Sequence, residues 1–185
     1  KFILHNNEKN FEDKLDSLDF IYSNSAYWVK NFNGHIKNLI EILNSNGTLI
    51  LSLKTNKLAE NNIMLDLQPI FGKGFVKILD RERRKTWIGL KSLEYYKNFF
   101  KSLNNAYVDK IIPIYDNNIL KIWDVGLRPI FEPLNLLSSK VSKKDRIKAK
   151  KMMVDIFFNL FGTYMDNYVC KKTDAVEYLF IIKKK

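Results

Sequence analysis

The stretch Asp19-Phe20-Ile21-Tyr22-Ser23-Asn24-Ser25-Ala26-Tyr27-Trp28, followed after a short gap by Ile36 to Leu53, decides how the rest of the chain is read. Phe20 to Ser23 is a short apolar run stopped by the polar pair Ser23-Asn24, the pattern of a strand buried on both faces. Ile36, Leu39, Ile40 and Leu43 fall at i, i+3, i+4 and i+7, one apolar stripe on a helix of about three turns. Asn44-Ser45-Asn46-Gly47 should end that helix, with Gly47 taking the left-handed conformation, and Thr48 to Leu53 is the next strand. Strand, helix and strand make one parallel crossover, and such crossovers place ligands at the carboxyl ends of their strands. The first place to look for a site is therefore the Ser23-Asn24-Ser25 turn.

Working outward, Phe2 to Leu4 reads as a short strand ending at His5-Asn6-Asn7-Glu8, and Phe11 to Leu18 as a polar connection. Lys54 to Asn62 is a polar loop, and the tract from Ile63 to about Trp87, broken by Pro69 and by Gly72-Lys73-Gly74, carries no clear period. Ser92 is placed to cap a helix with Leu93, Tyr96, Phe100 and Leu103 on one face. Tyr107 to Tyr115 is a strand whose Pro113 favours a sheet edge or a bulge, Asn117-Asn118 a turn, and Ile119 to Trp123 an extended continuation. Ser138 to Tyr164 is the longest helix, basic in its first half and apolar in its second, with Gly162 ending or kinking it. Ala175 to Ile182 is the last strand, and Lys183-Lys184-Lys185 should fray.

The totals bound the class. At 185 residues, with 46% hydrophobic and 28% charged residues, the chain fits a single globular domain, 1–185, with a real core. The single cysteine, Cys170, excludes an intrachain disulfide and a cysteine-based metal site, and it reads as a small buried hydrophobe. His5 and His35 stand on different elements with no acidic cluster beside them. No apolar run is long enough to span a bilayer and no signal pattern opens the chain, so the expected location is cytoplasmic.

The formal charge of +11 is unevenly spread. Residues 1–66 hold seven Lys/Arg and eight Asp/Glu, net −1, whereas 67–185 hold 24 and 12, net +12. Arg81-Glu82-Arg83-Arg84-Lys85 and the basic half of the 138–161 helix could form a face for nucleic acid or an anionic surface; a compositional bias toward Lys, Asn and Ile explains the same totals.

The Asp19–Trp28 stretch and the later run Leu43-Asn44-Ser45-Asn46-Gly47-Thr48-Leu49-Ile50 resemble the fourth and fifth strands of the class I S-adenosylmethionine-dependent methyltransferases. The resemblance covers residues 1–55 well and the rest loosely. It implies a Rossmann-like three-layer α/β/α sandwich with a mostly parallel sheet and an antiparallel last strand inserted beside the fifth. It also implies S-adenosylmethionine as cofactor, with Asn6 and Asn7 at the adenine edge and Ser23, Asn24 and Ser25 beside the sulfonium. Asn6 stands where the family usually has Asp. The glycine-rich turn and the acidic ribose ligand of such folds are missing, and the chain begins at Lys1 directly with a strand. The expectation is an amino-terminally truncated domain whose first strands precede this sequence.

Family enzymes that methylate bases carry an Asp/Asn-Pro-Pro-Tyr/Phe motif at the turn. Ser-Asn-Ser-Ala departs from it, which points to a small-molecule or carrier-bound acceptor. Tyr27 and Trp28 would then contact that acceptor, or would simply pack between strand and helix. Trp123-Asp124-Val125-Gly126-Leu127-Arg128 is poor core material: Trp123 and Arg128 could bind substrate, or Asp124 and Arg128 could pair to fix the loop. Segments 56–90 and 117–150 would shape the acceptor pocket. The alternative function is a non-catalytic module of the same fold that binds RNA or an anionic surface through its basic carboxyl-terminal face.

Overall fold

The computed structural model describes residues 18–80, 87, 89–127, 139–171 and 173–185. They form two compact units: one holds the described residues up to Asn61, from Trp87 to Leu120 and from Lys171 onward, the other those of Asn62–Asp80 and Lys121–Cys170. In chain order the elements are β1 (Leu18–Ser23), a 3₁₀-helix (Ala26–Trp28), α1 (Phe32–Glu41), β2 (Leu43–Lys54), α2 (Lys57–Glu60), α3 (Ile63–Asp80), α4 (Leu93–Lys101), β3 (Ala106–Asp116), α5 (Asn117–Lys121), a wide π-helical turn (Ile122–Leu127), α6 (Lys143–Asp166) and β4 (Ala175–Lys184). The expected strand at Phe2–Leu4 lies outside the described residues.

The first unit is built on a four-stranded sheet in the order β1-β2-β4-β3. β1 and β2 pair in parallel, while β4 runs antiparallel to both of its neighbours. The sheet is therefore mixed rather than mostly parallel. The last strand enters between β2 and β3, so it contributes two antiparallel ladders, and β1, β2 and β3 all point the same way.

One sheet face is the core. Leu49, Leu51 and Leu53 of β2 stand opposite Ile182, Phe180 and Tyr178 of β4, and all six are buried. Tyr96 and Phe100 of α4 set their rings 6.0 and 5.2 Å from that of Phe180, and Phe32 of α1 meets Tyr96 at 5.3 Å. Ile36, Leu39 and Ile40 carry the predicted stripe into this core. The cap on α4 is also as expected, Ser92 Oγ accepting from Tyr95 N at 3.1 Å. Pro113 lies on β3, the strand at the sheet edge, where the ladder is irregular.

Several sequence expectations change. β1 is not buried on both faces: Phe20 and Tyr22, on the face away from α4, are 57% and 56% exposed. The α1 helix stops at Glu41 and Leu43 already belongs to β2, because the ladder slips between Leu18–Leu43 and Phe20–Thr48. Asn44 to Gly47 take up that slack as an irregular bulge in the strand. Asn46, not Gly47, carries the left-handed conformation at φ +64°. Gly47 is needed for another reason, since a Cβ there would lie 2.8 Å from the Asn44 carbonyl oxygen and 3.1 Å from that of Leu18.

Residues 117–121 are helical rather than a turn followed by an extended segment, and Ile122 and Trp123 lie in the π-helical turn, because Asp116 Oδ1 accepts from Asn118 N at 2.9 Å and Ile119 N at 3.2 Å and so starts a helix. The tract after Asn62 is helical as well, with Pro69 inside it and a break at Gly72, φ +83°. The long basic helix runs from Lys143 to Asp166 under a Ser142 cap, and Gly162 sits within it without ending it. The carboxyl tail is held rather than frayed. Lys184 Nζ donates to the Leu43 and Glu41 carbonyls at 2.6 and 2.9 Å, and Lys185 N to that of Asn105 at 3.0 Å. Cys170 is half-buried, not a core residue.

Candidate functional site

The parallel β1-α1-β2 crossover brings Ser23 to the carboxyl end of β1, beside Leu51 of β2. Asn24 follows on the exposed surface, and the chain turns at once into the 3₁₀-helix, closed by Trp28 N donating to Ser25 O at 3.0 Å. Ser25 is the residue before that helix, yet its hydroxyl makes no capping bond. Tyr27 turns inward and is buried. Trp28 remains 51% exposed, its ring edge-to-face with that of Tyr27 at 5.5 Å. The turn thus presents an exposed amide, two hydroxyl-bearing residues and an exposed indole within six positions of sequence.

Behind Tyr27 lies a polar cluster that the sequence did not announce. Lys54, the last residue of β2, faces Glu177 of β4 in the ladder and its Nζ meets Glu177 Oε2 at 2.7 Å. Ser52, two residues earlier on the same face, donates its buried hydroxyl to Glu177 Oε1. The Lys54 ammonium also stands 5.2 Å from the centre of the Tyr27 ring and 6.0 Å from that of Tyr115, within cation–π range. Glu177 interrupts an apolar run, Ala175-Val176-Glu177-Tyr178-Leu179-Phe180, and a charged residue inside an otherwise buried strand was the signal that could have found it.

Tyr96 ties the end of β2 to the segment before α4. Its hydroxyl donates to Lys54 O at 3.0 Å and accepts from Lys91 N at 3.4 Å. Burial pushes its phenol up to about 12, the bond from Lys91 N opposing this in part. Between about pH 10 and pH 12 the unfolded chain has lost this proton and the folded chain still holds it, so stability falls as pH rises through that window. The expected loss is on the order of 2 kcal/mol. The difference between wild-type and Tyr96→Phe melting temperatures, followed from pH 9 to pH 12, checks this: the variant should be about 1 kcal/mol less stable at neutral pH and should close the gap in alkali.

Of the residues singled out from sequence, Ser23, Asn24, Ser25, Tyr27 and Trp28 gather at the carboxyl end of β1. Trp123 is in the π-helical turn of the other unit, where Asp124, fully buried, accepts from Asn62 Nδ2 at 2.9 Å. Asn6, Asn7 and Arg128 lie outside the described residues, and with Arg128 the proposed Asp124 pairing. A cavity of about 640 Å³ opens near the carboxyl end of β2 on the α4 side, lined by Thr55, Lys57, Glu60, Lys97 and Tyr178 among others. None of the predicted site residues that are described lines it.

No family model matches the sequence, and no curated protein does. Among solved structures, the chain is similar to the YcgJ protein of Bacillus subtilis at a TM-score of 0.43 and 12% identity, over 98% of this chain and 69% of that one. A likeness this loose carries no weight in the functional reading.

Proposed function

We propose that this chain is the part of a Rossmann-like, class I methyltransferase-type domain that bears the methyl-transfer edge, acting on a small-molecule or carrier-bound acceptor with S-adenosylmethionine as cofactor. The observation that carries this reading is the sheet order: an antiparallel β4 inserted beside β2, with the same-facing strands β1, β2 and β3 around it. That is the arrangement the resemblance in the Asp19–Leu53 stretch implies for the strands after the third. The Ser23-Asn24-Ser25 turn stands at the carboxyl end of the crossover, the end at which open α/β sheets bind their ligands, which supports this reading.

The residues present suit such a ligand. Asn24 is exposed and offers both a donor and an acceptor to a charged amino acid or ribose group, and Ser23 and Ser25 flank it. The cofactor supplies a methyl group already activated by its sulfonium, so the protein's task is alignment more than acid–base chemistry. Tyr27 is held by its burial and by the Lys54–Glu177 pair, and Trp28 stands exposed as an aromatic wall for an acceptor. No residue is assigned as a general base.

Trp28 also supplies a reporter. Titration with S-adenosylhomocysteine should quench tryptophan emission, Trp28→Phe should remove the response, and Asn24→Ala should weaken binding at least about tenfold, the loss of a well-made polar contact. Emission unchanged at millimolar ligand, or a response indifferent to both substitutions, would overturn the reading.

A further inference from the structure

The α6 helix exposes apolar side chains on several sides, Met152, Ile156 and Leu160 among them, and so offers no single face to a partner. No described helix is long and apolar enough to cross a membrane. The feature that points to a ligand lies in the first unit: the cavity of about 640 Å³ beside the carboxyl end of β2, a volume in the range of small-molecule sites. Leu93 of α4, Ile111 of β3, and Ala175 and Tyr178 of β4 give it an apolar lining. Ala175 and Tyr178 are buried, Leu93 and Ile111 half-buried.

Around this lining stand charges of both signs. Lys57 and Glu60 come from α2, Glu94 and Lys97 from α4. No ion pair joins any of these four described side chains. Lys57 Nζ donates to the Thr173 carbonyl, and Glu60 Oε1 accepts from Asn56 Nδ2 at 2.6 Å, so the α2 pair is engaged with its own rim. Glu94 and Lys97 are three positions apart and thus share one side of α4; both are exposed, and among the described residues neither has an ion-pair partner. An anionic ligand would meet both carboxylates, and a cationic one both ammonium groups. A neutral apolar compound would fill the lining and use neither charge. A zwitterion with an apolar body matches all three features, its charged ends toward the two free α4 side chains and its body toward Leu93, Ile111 and Tyr178.

We propose that this cavity binds a free α-amino acid with an apolar side chain, Glu94 meeting the ammonium and Lys97 the carboxylate. The site is separate from the Ser23-Asn24-Ser25 turn, and its test uses neither a methyl donor nor an acceptor. Backbone amide shifts of the isotope-labelled whole chain are followed as L-phenylalanine, 3-phenylpropionate and 2-phenylethylamine are each added; the second compound lacks the ammonium and the third the carboxylate. L-Phenylalanine at millimolar concentration should move the amides of Ser92 to Lys97 and of Thr55 to Lys57. Each analogue should bind at least about tenfold more weakly, the loss of one charge-assisted contact. In Lys97→Met, L-phenylalanine should bind no better than phenylethylamine does, and in Glu94→Gln no better than phenylpropionate, the coupling expected when each charged end meets one side chain. Both side chains are exposed, so the circular dichroism of the variants should stay that of the wild type. No shift at these amides, equal binding of the three compounds to the wild type, or variants that keep the full preference for the amino acid would overturn the proposal. So would shifts confined to Ser23 to Tyr27, which would assign the compound to the turn after β1.

Discussion

Phe180→Ala should destabilise the first unit by about 3–5 kcal/mol, the usual cost of truncating a fully buried phenylalanine. Phe180 has no exposed surface, lies in β4 between β2 and β3, and meets both core rings of α4, Tyr96 at 6.0 Å and Phe100 at 5.2 Å. The residue therefore joins the sheet's central ladder to its helical layer. Truncation removes the transfer energy of the ring and leaves a cavity that two strands, held in register on either side, cannot close. A domain whose net stability is of the order of 5–15 kcal/mol would be left close to unfolding at physiological temperature. Urea titration followed by circular dichroism measures it, and a loss below about 1 kcal/mol would mean that α4 does not rest on β4 as described.

Glu177→Ala should cost about 2–4 kcal/mol by a different route. The carboxylate serves both Ser52 and Lys54, and its side chain is 11% exposed against 24% for that of Lys54. Deleting it leaves the buried Ser52 hydroxyl without this acceptor and the ammonium without its carboxylate, beside the Tyr27 and Tyr115 rings. Water reaches Lys54 in part, which keeps the expected cost below that of a wholly enclosed pair. Glu177→Gln, which keeps an acceptor for Ser52 but removes the charge, should cost roughly half as much. If Glu177→Gln were as stable as the wild type, the ion pair would contribute nothing beyond a neutral hydrogen bond. Because Tyr27 is packed against Lys54, Glu177→Ala should also loosen the turn that carries Trp28, visible as a change in its emission.

The features written in short-range pattern were legible in the sequence. The apolar repeat at Ile36, Leu39 and Ile40, the Ser92 cap and the Pro113 edge position each depend on residues a few places apart, and each is found as read. What escaped was set by longer-range or competing terms. Leu43 keeps the helical spacing but is claimed by β2, because strand pairing with Leu18 starts there. Asn117-Asn118 read as a turn and Ile119 to Trp123 as extended, and Asp116 starts a helix there through two backbone bonds. The tail lysines looked solvated, but the end of β4 brings Lys184 against the carbonyls at the end of α1. Phe20 and Tyr22 could not be told from core residues, since an apolar run of that length does not say how many faces are covered.

At the site the division is similar. The Ser23-Asn24-Ser25 turn was legible as the end of β1, since a polar triplet there stops an apolar run. The Ser52, Lys54 and Glu177 cluster joins residues more than 120 positions apart, and only the antiparallel register of β2 with β4 brings them together.

The turn after β1 is proposed as a ligand edge for S-adenosylmethionine-type compounds. Backbone amide chemical shifts of the isotope-labelled chain, recorded as S-adenosylhomocysteine is added to millimolar concentration, test it most directly, because the method locates weak contacts residue by residue. Shifts are expected at Ser23, Asn24, Ser25 and Tyr27, with Asn6 and Asn7 responding to the adenine. Shifts confined to the cavity by Thr55 and Lys97, or none anywhere, would contradict it.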